Sequence, residues 1–329
     1  MMVLRLAPLI LLLVSCAFAV SAFSVTTSKT VKSRDGTPIF AQATGDPTKQ
    51  SIVFVHGFAL SGVAFDRLVA NPKFRSDFYL VRFDMRGHGR SGKPNTPEAH
   101  TSDKYADDFR AVMSAFCLDK PVLVGWSLGA AVITDVVANN KDIPIAAAVA
   151  LDGSPGIDMN IVPNIATPLL LGTLPVFNDN TNVTAALEIR TSFVDALFAD
   201  PTKVPFSLKA EYLGQTVVQT PDVSALVSIR PQNASKLFEA GDAGKLTMML
   251  LSGKSDSMVI QAGVNTIFGP HFKNLRVRQI DGGHAVFDDN LEGTVTELTS
   301  FVHDVVKNPY AGLTVPRLTC IVQALLTGH

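Results

Sequence analysis

The stretch Gly125-Trp126-Ser127-Leu128-Gly129 narrows the fold of this chain more than any other. It has the pattern G-x-S-x-G. A short apolar run, Pro121 to Val124, precedes it and reads as a strand, and a small-residue run, Gly129 to Asn139, follows and reads as a helix. A strand that turns at once into a helix forces its turn residue into a strained conformation. Glycines on either side remove the β-carbons that would collide with the neighbouring strand and helix. The serine hydroxyl is then raised above a sheet, at a helix N-terminus that favours developing negative charge.

The surrounding sequence supplies that sheet. Thr26 to Lys32 and Pro38 to Thr44 flank the turn dipeptide Asp35-Gly36 and read as an antiparallel hairpin. Ser51 to Val55, Phe78 to Phe83, Pro121 to Val124 and Ile145 to Leu151 are short runs, mostly apolar on both faces, as strands of a covered parallel sheet are. Helical segments separate them, Tyr105 to Phe116 being the clearest, and this alternation is the signature of βαβ units. The rhythm stops over 155–244, a stretch with many prolines and helical runs such as Ala185 to Phe198. It resumes with strands at Lys245 to Leu251 and Leu275 to Ile280 and a helix from Glu292 to Val306. The expected organisation is an α/β core in two parts, 23–154 and 245–308, interrupted by a helical insertion at 155–244 and followed by a tail at 309–329.

Residues 1–22 form a separate object. Arg5 is a positive start, Leu9 to Val14 an apolar centre, and Ala17, Ala19, Ser21 and Ala22 a small-residue site. This is the layout of a signal peptide cleaved after Ala19 or Ala22, so the expected product is secreted, with no stable membrane anchor. Cys16 leaves with it, so Cys117 and Cys320 remain, either paired or with Cys117 a buried free thiol. Asn182-Val183-Thr184 and Asn233-Ala234-Ser235 are sequons that a secreted protein would carry as N-glycan acceptors. A net charge of −1 and no long block of like charge give no support to nucleic-acid binding.

A serine hydroxyl is a weak nucleophile at neutral pH and needs a base and oxyanion donors. His284, in Asp281-Gly282-Gly283-His284-Ala285, follows the last expected strand. Asp256, in Gly253-Lys254-Ser255-Asp256, follows the strand before it. Both, like Ser127, fall at the carboxyl ends of strands, where open α/β sheets place their sites. Asp152, which ends an earlier strand in Leu151-Asp152-Gly153, is the alternative acid, while Asp281 is expected to shape its turn. No C-x-x-C or H-E-x-x-H spacing suggests a metal site.

With His56-Gly57-Phe58 and Asp84-Met85-Arg86-Gly87-His88-Gly89-Arg90-Ser91, these segments give five motifs in a fixed order, and the chain resembles the α/β-hydrolase superfamily, in its lid-bearing serine-hydrolase branch of esterases, lipases and haloperoxidases. The resemblance covers about Thr26 to Val306 apart from the insertion. It implies an α/β-hydrolase fold: a mostly parallel central sheet with helices on both faces and a helical lid. It also implies that Ser127 is the nucleophile, His284 the base and Asp256 its orienting acid. The amides of Leu128 and Phe58 would form the oxyanion hole, and His56 and His88 would shape loops. No cofactor is needed.

A serine at this position points to acyl transfer, whereas relatives that open epoxides or displace halide use aspartate there. The expected activity is hydrolysis of a small to medium apolar carboxylic ester. Peracid-forming or carbon–carbon-bond hydrolysis and a non-catalytic binding protein are the alternatives. Phe177, Phe193, Phe198, Phe206, Met159 and Tyr212 are candidates for an acyl pocket, although most read better as the lid's own core.

Overall fold

The computed structural model describes residues 26–307 apart from 159 and 229. The expectations for the signal segment 1–22, the tail 309–329, Met159 and Cys320 therefore lie outside the described residues. Cys117 is half-buried and engaged in a disulfide, so it is not a free thiol.

Eight strands form one sheet: β1 (Thr26–Lys32), β2 (Pro38–Thr44), β3 (Ser51–Val55), β4 (Tyr79–Phe83), β5 (Val122–Trp126), β6 (Ala147–Leu151), β7 (Thr247–Gly253) and β8 (Leu275–Ile280). Their order is β1-β2-β4-β3-β5-β6-β7-β8. β2 pairs antiparallel with β1 and β4, and every other pair is parallel.

Burial follows position in the sheet. β3, β4, β5 and β6 are buried at every residue because helices cover both faces, which is why their sequences are apolar runs rather than alternations. The edge strands β1 and β8 are largely exposed, and Arg276 and Arg278 on β8 charge an edge that would otherwise invite pairing with another chain. At the hairpin, Gly36 has φ +86°, and the Thr37 amide donates to Asp35 Oδ1 at 3.0 Å.

Between β6 and β7 the described residues form the helices Val162–Ile165, Pro168–Phe177, Val183–Ala196, Phe206–Thr216, Pro221–Ser228 and Ser235–Asp242. This insertion is fastened to the core by buried polar contacts. Gln215 Oε1 accepts from the Ser61 amide and hydroxyl at 3.0 and 2.9 Å, and Gln219 Nε2 donates to the Gly87 carbonyl at 2.8 Å. Arg230 forms a fully buried salt bridge with Asp135, on the helix that follows Ser127. Gln232, late in the insertion, ties its start to the core: its Oε1 accepts from the Ile157 amide at 2.7 Å, and its Nε2 donates to the Ala131 carbonyl at 2.8 Å.

Candidate active site

Ser127 follows β5 directly and has φ +54°, a left-handed conformation that costs a non-glycine residue roughly 1–3 kcal/mol. The two flanking glycines are fixed by space. A β-carbon on Gly125 would lie 2.4 Å from Ala130 Cα, and one on Gly129 would lie 2.3 Å from the Val55 carbonyl oxygen. The helix expected from Gly129 begins as a 3-10 segment, Ser127–Ala131, and becomes an α-helix over Val132–Ala138.

His284 Nε2 stands 2.8 Å from Ser127 Oγ, and its Nδ1 stands 3.0 Å from Asp256 Oδ1. Both His284 and Asp256 side chains are almost fully buried. Asp256 Oδ1 also accepts from the amides of Met258 and Val259 at 2.9 and 3.1 Å, and Gln261 Nε2 donates to Oδ2 at 3.1 Å. Burial alone would raise the Asp256 pKa. The imidazole and the two amides outweigh it and hold the group below the usual carboxylate range. An ionised Asp256 requires hydrogen on His284 Nδ1, which leaves Nε2 free to accept from the serine hydroxyl.

Asp152 occupies a different environment. It has φ +42° and is fully buried, and its Oδ1 accepts from the Gly253 amide at 2.7 Å. Its Oδ2 meets no donor at hydrogen-bond geometry, the Val286 amide exerting only a minor pull. Burial, followed by the neighbouring Asp256 charge, pushes its pKa well above the ordinary value, the opposite direction to Asp256. Asp281, the residue expected to shape its turn, is exposed and pairs with Lys254 at 2.8 Å, away from His284.

His56 and His88 are buried loop-formers. His56 Nε2 accepts from the Met85 amide at 2.9 Å and Nδ1 donates to the Gly57 carbonyl at 2.8 Å, while His88 Nδ1 donates to the Arg86 carbonyl at 3.1 Å. Burial lowers both pKa values, that of His88 well below the ordinary range. The Asp84–Ser91 segment is likewise a scaffold. Asp84 accepts from the amides of Gly62 and Arg90, each at 2.8 Å, and Arg86 forks onto Asp108 at 2.8 and 2.6 Å.

A cavity of about 120 Å³ opens beside Ser127, with Leu128 and Phe58 in its wall. Its lid side is aliphatic: Ile157, Val162, Ile165, Leu170, Leu171 and Leu174. Among the described residues, no charged side chain lines it. The lid aromatics do not line it either. Phe177 and Phe193 pack edge-on against Phe58 and each other, Phe198 packs on Tyr212, and Phe206 is 84% exposed. Among the described residues, no group of three or more His, Cys, Asp or Glu side chains is arranged to hold a metal.

The family model described as "alpha/beta hydrolase fold" matches residues 50–291. The chain belongs to the α/β-hydrolase family. Within it, the chain is 40% identical over 97 residues to "Probable oxidoreductase EphD" of Mycobacterium tuberculosis, covering 30% of this chain and 16% of that protein. It is 35% identical over 127 residues to the "Bifunctional esterase/perhydrolase DCH" of Acinetobacter calcoaceticus, covering 38% of this chain and 44% of that protein. The aligned part thus spans less than half the length of these curated relatives. The crystal structure of a proposed aryl esterase from Burkholderia cenocepacia superposes with a TM-score of 0.76 at 26% identity, over 86% of this chain and 100% of that one.

As an α/β hydrolase, the chain also holds site residues that motif reading passed over. Trp126 Nε1 donates to the His284 carbonyl at 2.7 Å, pinning the histidine's backbone from the strand that carries Ser127. Its being the chain's sole tryptophan, inside the motif, was a usable signal. Gln261, five residues beyond Asp256, carries no such signal.

Proposed function

We propose that this chain is a secreted serine hydrolase that cleaves small to medium apolar carboxylic esters through an acyl-enzyme intermediate. The observation that carries the reading is the hydrogen-bonded series Ser127–His284–Asp256 beside an uncharged, aliphatic pocket.

Ser127 Oγ attacks the ester carbonyl while His284 Nε2 takes its proton. The carbonyl oxygen becomes an oxyanion facing the backbone amides of Leu128 and Phe58, each such donor being worth about 3 kcal/mol of barrier. His284 gives the proton to the departing alkoxide, which leaves as the alcohol. The same imidazole then deprotonates a water that attacks the acyl-serine and releases the carboxylic acid. Asp256 holds the ring in place and stabilises the imidazolium in both halves. The acyl group occupies the aliphatic pocket, where an anionic group would be desolvated with no partner. The sequence layout of residues 1–22 supports secretion. The exposed Asn182 and Asn233 are the proposed glycan acceptors.

Hydrolysis of p-nitrophenyl butyrate by the wild type and by Ser127→Ala tests the reading. The variant is expected to lose about 10⁴-fold or more in kcat, and equal rates would refute the assignment. A second reading, peracid formation, is favoured by the likeness to an esterase/perhydrolase. Hydrogen peroxide would then replace water in the attack on acyl-Ser127, giving the peracid, and halide oxidation in the presence of acetate and peroxide would detect it.

A further inference from the structure

We propose that Asp289 is a positioning residue for the base, and that it works by joining the lid to the histidine loop. The inference rests on the reading of His284 as the base.

His284 sits in the loop between β8 and the short helix Val286–Asp289. Beyond the bonds to Ser255 and within its own short helix, three hydrogen bonds tie the backbone of residues 283–285 to other parts of the molecule. Trp126 Nε1 donates to the His284 carbonyl, the Gly283 amide donates to Asp289 Oδ2, and the Ala285 amide donates to the Leu197 carbonyl, each at 2.7 Å. Asp289 Oδ2 also accepts from the Ala199 amide at 2.9 Å. Leu197 and Ala199 belong to the insertion, just beyond its helix Val183–Ala196. Two of these three ties therefore end on lid backbone, one directly and one through Asp289.

The approach is close: a β-carbon on Gly283 would lie 2.5 Å from the Ala199 nitrogen. The preceding residue runs a parallel tie, since Asp288 Oδ2 accepts from the Tyr212 hydroxyl at 2.7 Å and Oδ1 from Arg67 at 3.1 Å. Asp288 thus joins the lid to the core through side chains. Asp289 joins it to the residue adjoining His284 through backbone.

Two amides converge on one carboxylate oxygen, which has the lone pairs to accept both. Without that oxygen the Gly283 amide loses its acceptor, and a small rotation at residue 283 swings the imidazole away from Ser127. Misplacement of a reacting group by about 1 Å costs about 10²-fold in rate. The lid in this arrangement is part of the scaffold that aims the base.

The test compares Asp289→Ala, Asp289→Asn and Asp289→Glu in the purified full chain. It measures kcat and KM on p-nitrophenyl acetate and hexanoate, and the rate of Ser127 labelling by a fluorophosphonate. In Asp289→Ala, kcat should fall about 10- to 100-fold, by the same factor on both esters, with KM unchanged and labelling slowed in parallel. Asp289→Asn, whose amide oxygen can accept both bonds, should stay close to wild type. Asp289→Glu, whose acceptor is displaced by a methylene, should resemble Asp289→Ala.

A wild-type kcat in Asp289→Ala, a loss confined to KM or to hexanoate, or equal impairment of Asn and Ala would overturn the proposal. If Asp289→Ala does not fold, the Asn and Glu pair decides, and equal rates in those two contradict it. If the wild type hydrolyses no ester, the proposed function fails, while the labelling series still tests the clamp.

Discussion

Two aspartates stand at the ends of adjacent strands, and their surroundings shift their carboxyl pKa values in opposite directions. Asp256 faces an imidazole, two backbone amides and a glutamine amide, so its carboxylate is stabilised despite burial. Asp152 is fully buried, with the Gly253 amide on Oδ1 and the Asp256 charge nearby, so its pKa is pushed up. Asp256→Asn should therefore lower kcat by about 10³- to 10⁴-fold, whereas Asp152→Asn should leave it near wild type; ester assays on the two variants check this, and the reverse ranking would reassign the acid. Stability gives an independent sign. Unfolded, Asp152 ionises near its ordinary pKa, while folded it keeps its proton to higher pH. Wild-type stability therefore declines as pH rises between those two values. An asparagine has no such proton, so the melting temperature of Asp152→Asn minus that of wild type should increase from pH 4.5 to pH 8.

At the scale of elements, the core was legible and the lid only partly so. β1, β2, β3 and β8 have the bounds that their sequences suggest: hairpin turn chemistry marks β1 and β2, a doubly covered apolar run marks β3, and apolar–charged alternation marks the edge strand β8. The last helix was placed to within one residue, over Leu291–Lys307. Ser127, Asp256 and His284 could be named because strand ends fix where chemistry sits in an open sheet. The lid's helical character was readable too, but which helix face meets the pocket was not. In the helix Pro168–Phe177, Leu170, Leu171 and Leu174 line the cavity, while Phe177 turns inward onto Phe58 and Phe193. Nothing in an almost uniformly apolar helix marks that division. Leu174→Ala should enlarge the cavity and raise the hexanoate-to-acetate ratio of kcat/KM by about tenfold, the effect of one or two methylenes in an apolar pocket. An unchanged ratio in an ester chain-length series would place the acyl group elsewhere. Arg230→Ala should destabilise the fold by about 3–5 kcal/mol in urea unfolding, because it strands the fully buried Asp135 carboxylate.

At the scale of the molecule, the sheet brings Ser127 and His284, 157 positions apart in sequence, into hydrogen-bond contact, and the lid is bonded to the core on several sides of Ser127. Asn182 caps the helix Val183–Ala196 with its Oδ1, which accepts from the Ala185 amide at 3.0 Å. Its exposed side chain still offers Nδ2 to a glycan. Expressed through a eukaryotic secretory route, the protein should show a mobility shift on glycosidase treatment that shrinks in Asn182→Gln and in Asn233→Gln; no shift would contradict the glycan assignment. The central claim is that Ser127 carries the acyl group, and the most direct measurement is mass spectrometry of protein mixed with p-nitrophenyl butyrate and quenched in acid. The expected result is a butyryl adduct on the peptide containing Ser127, absent from Ser127→Ala. An adduct on another residue, or turnover undiminished in Ser127→Ala, would contradict it.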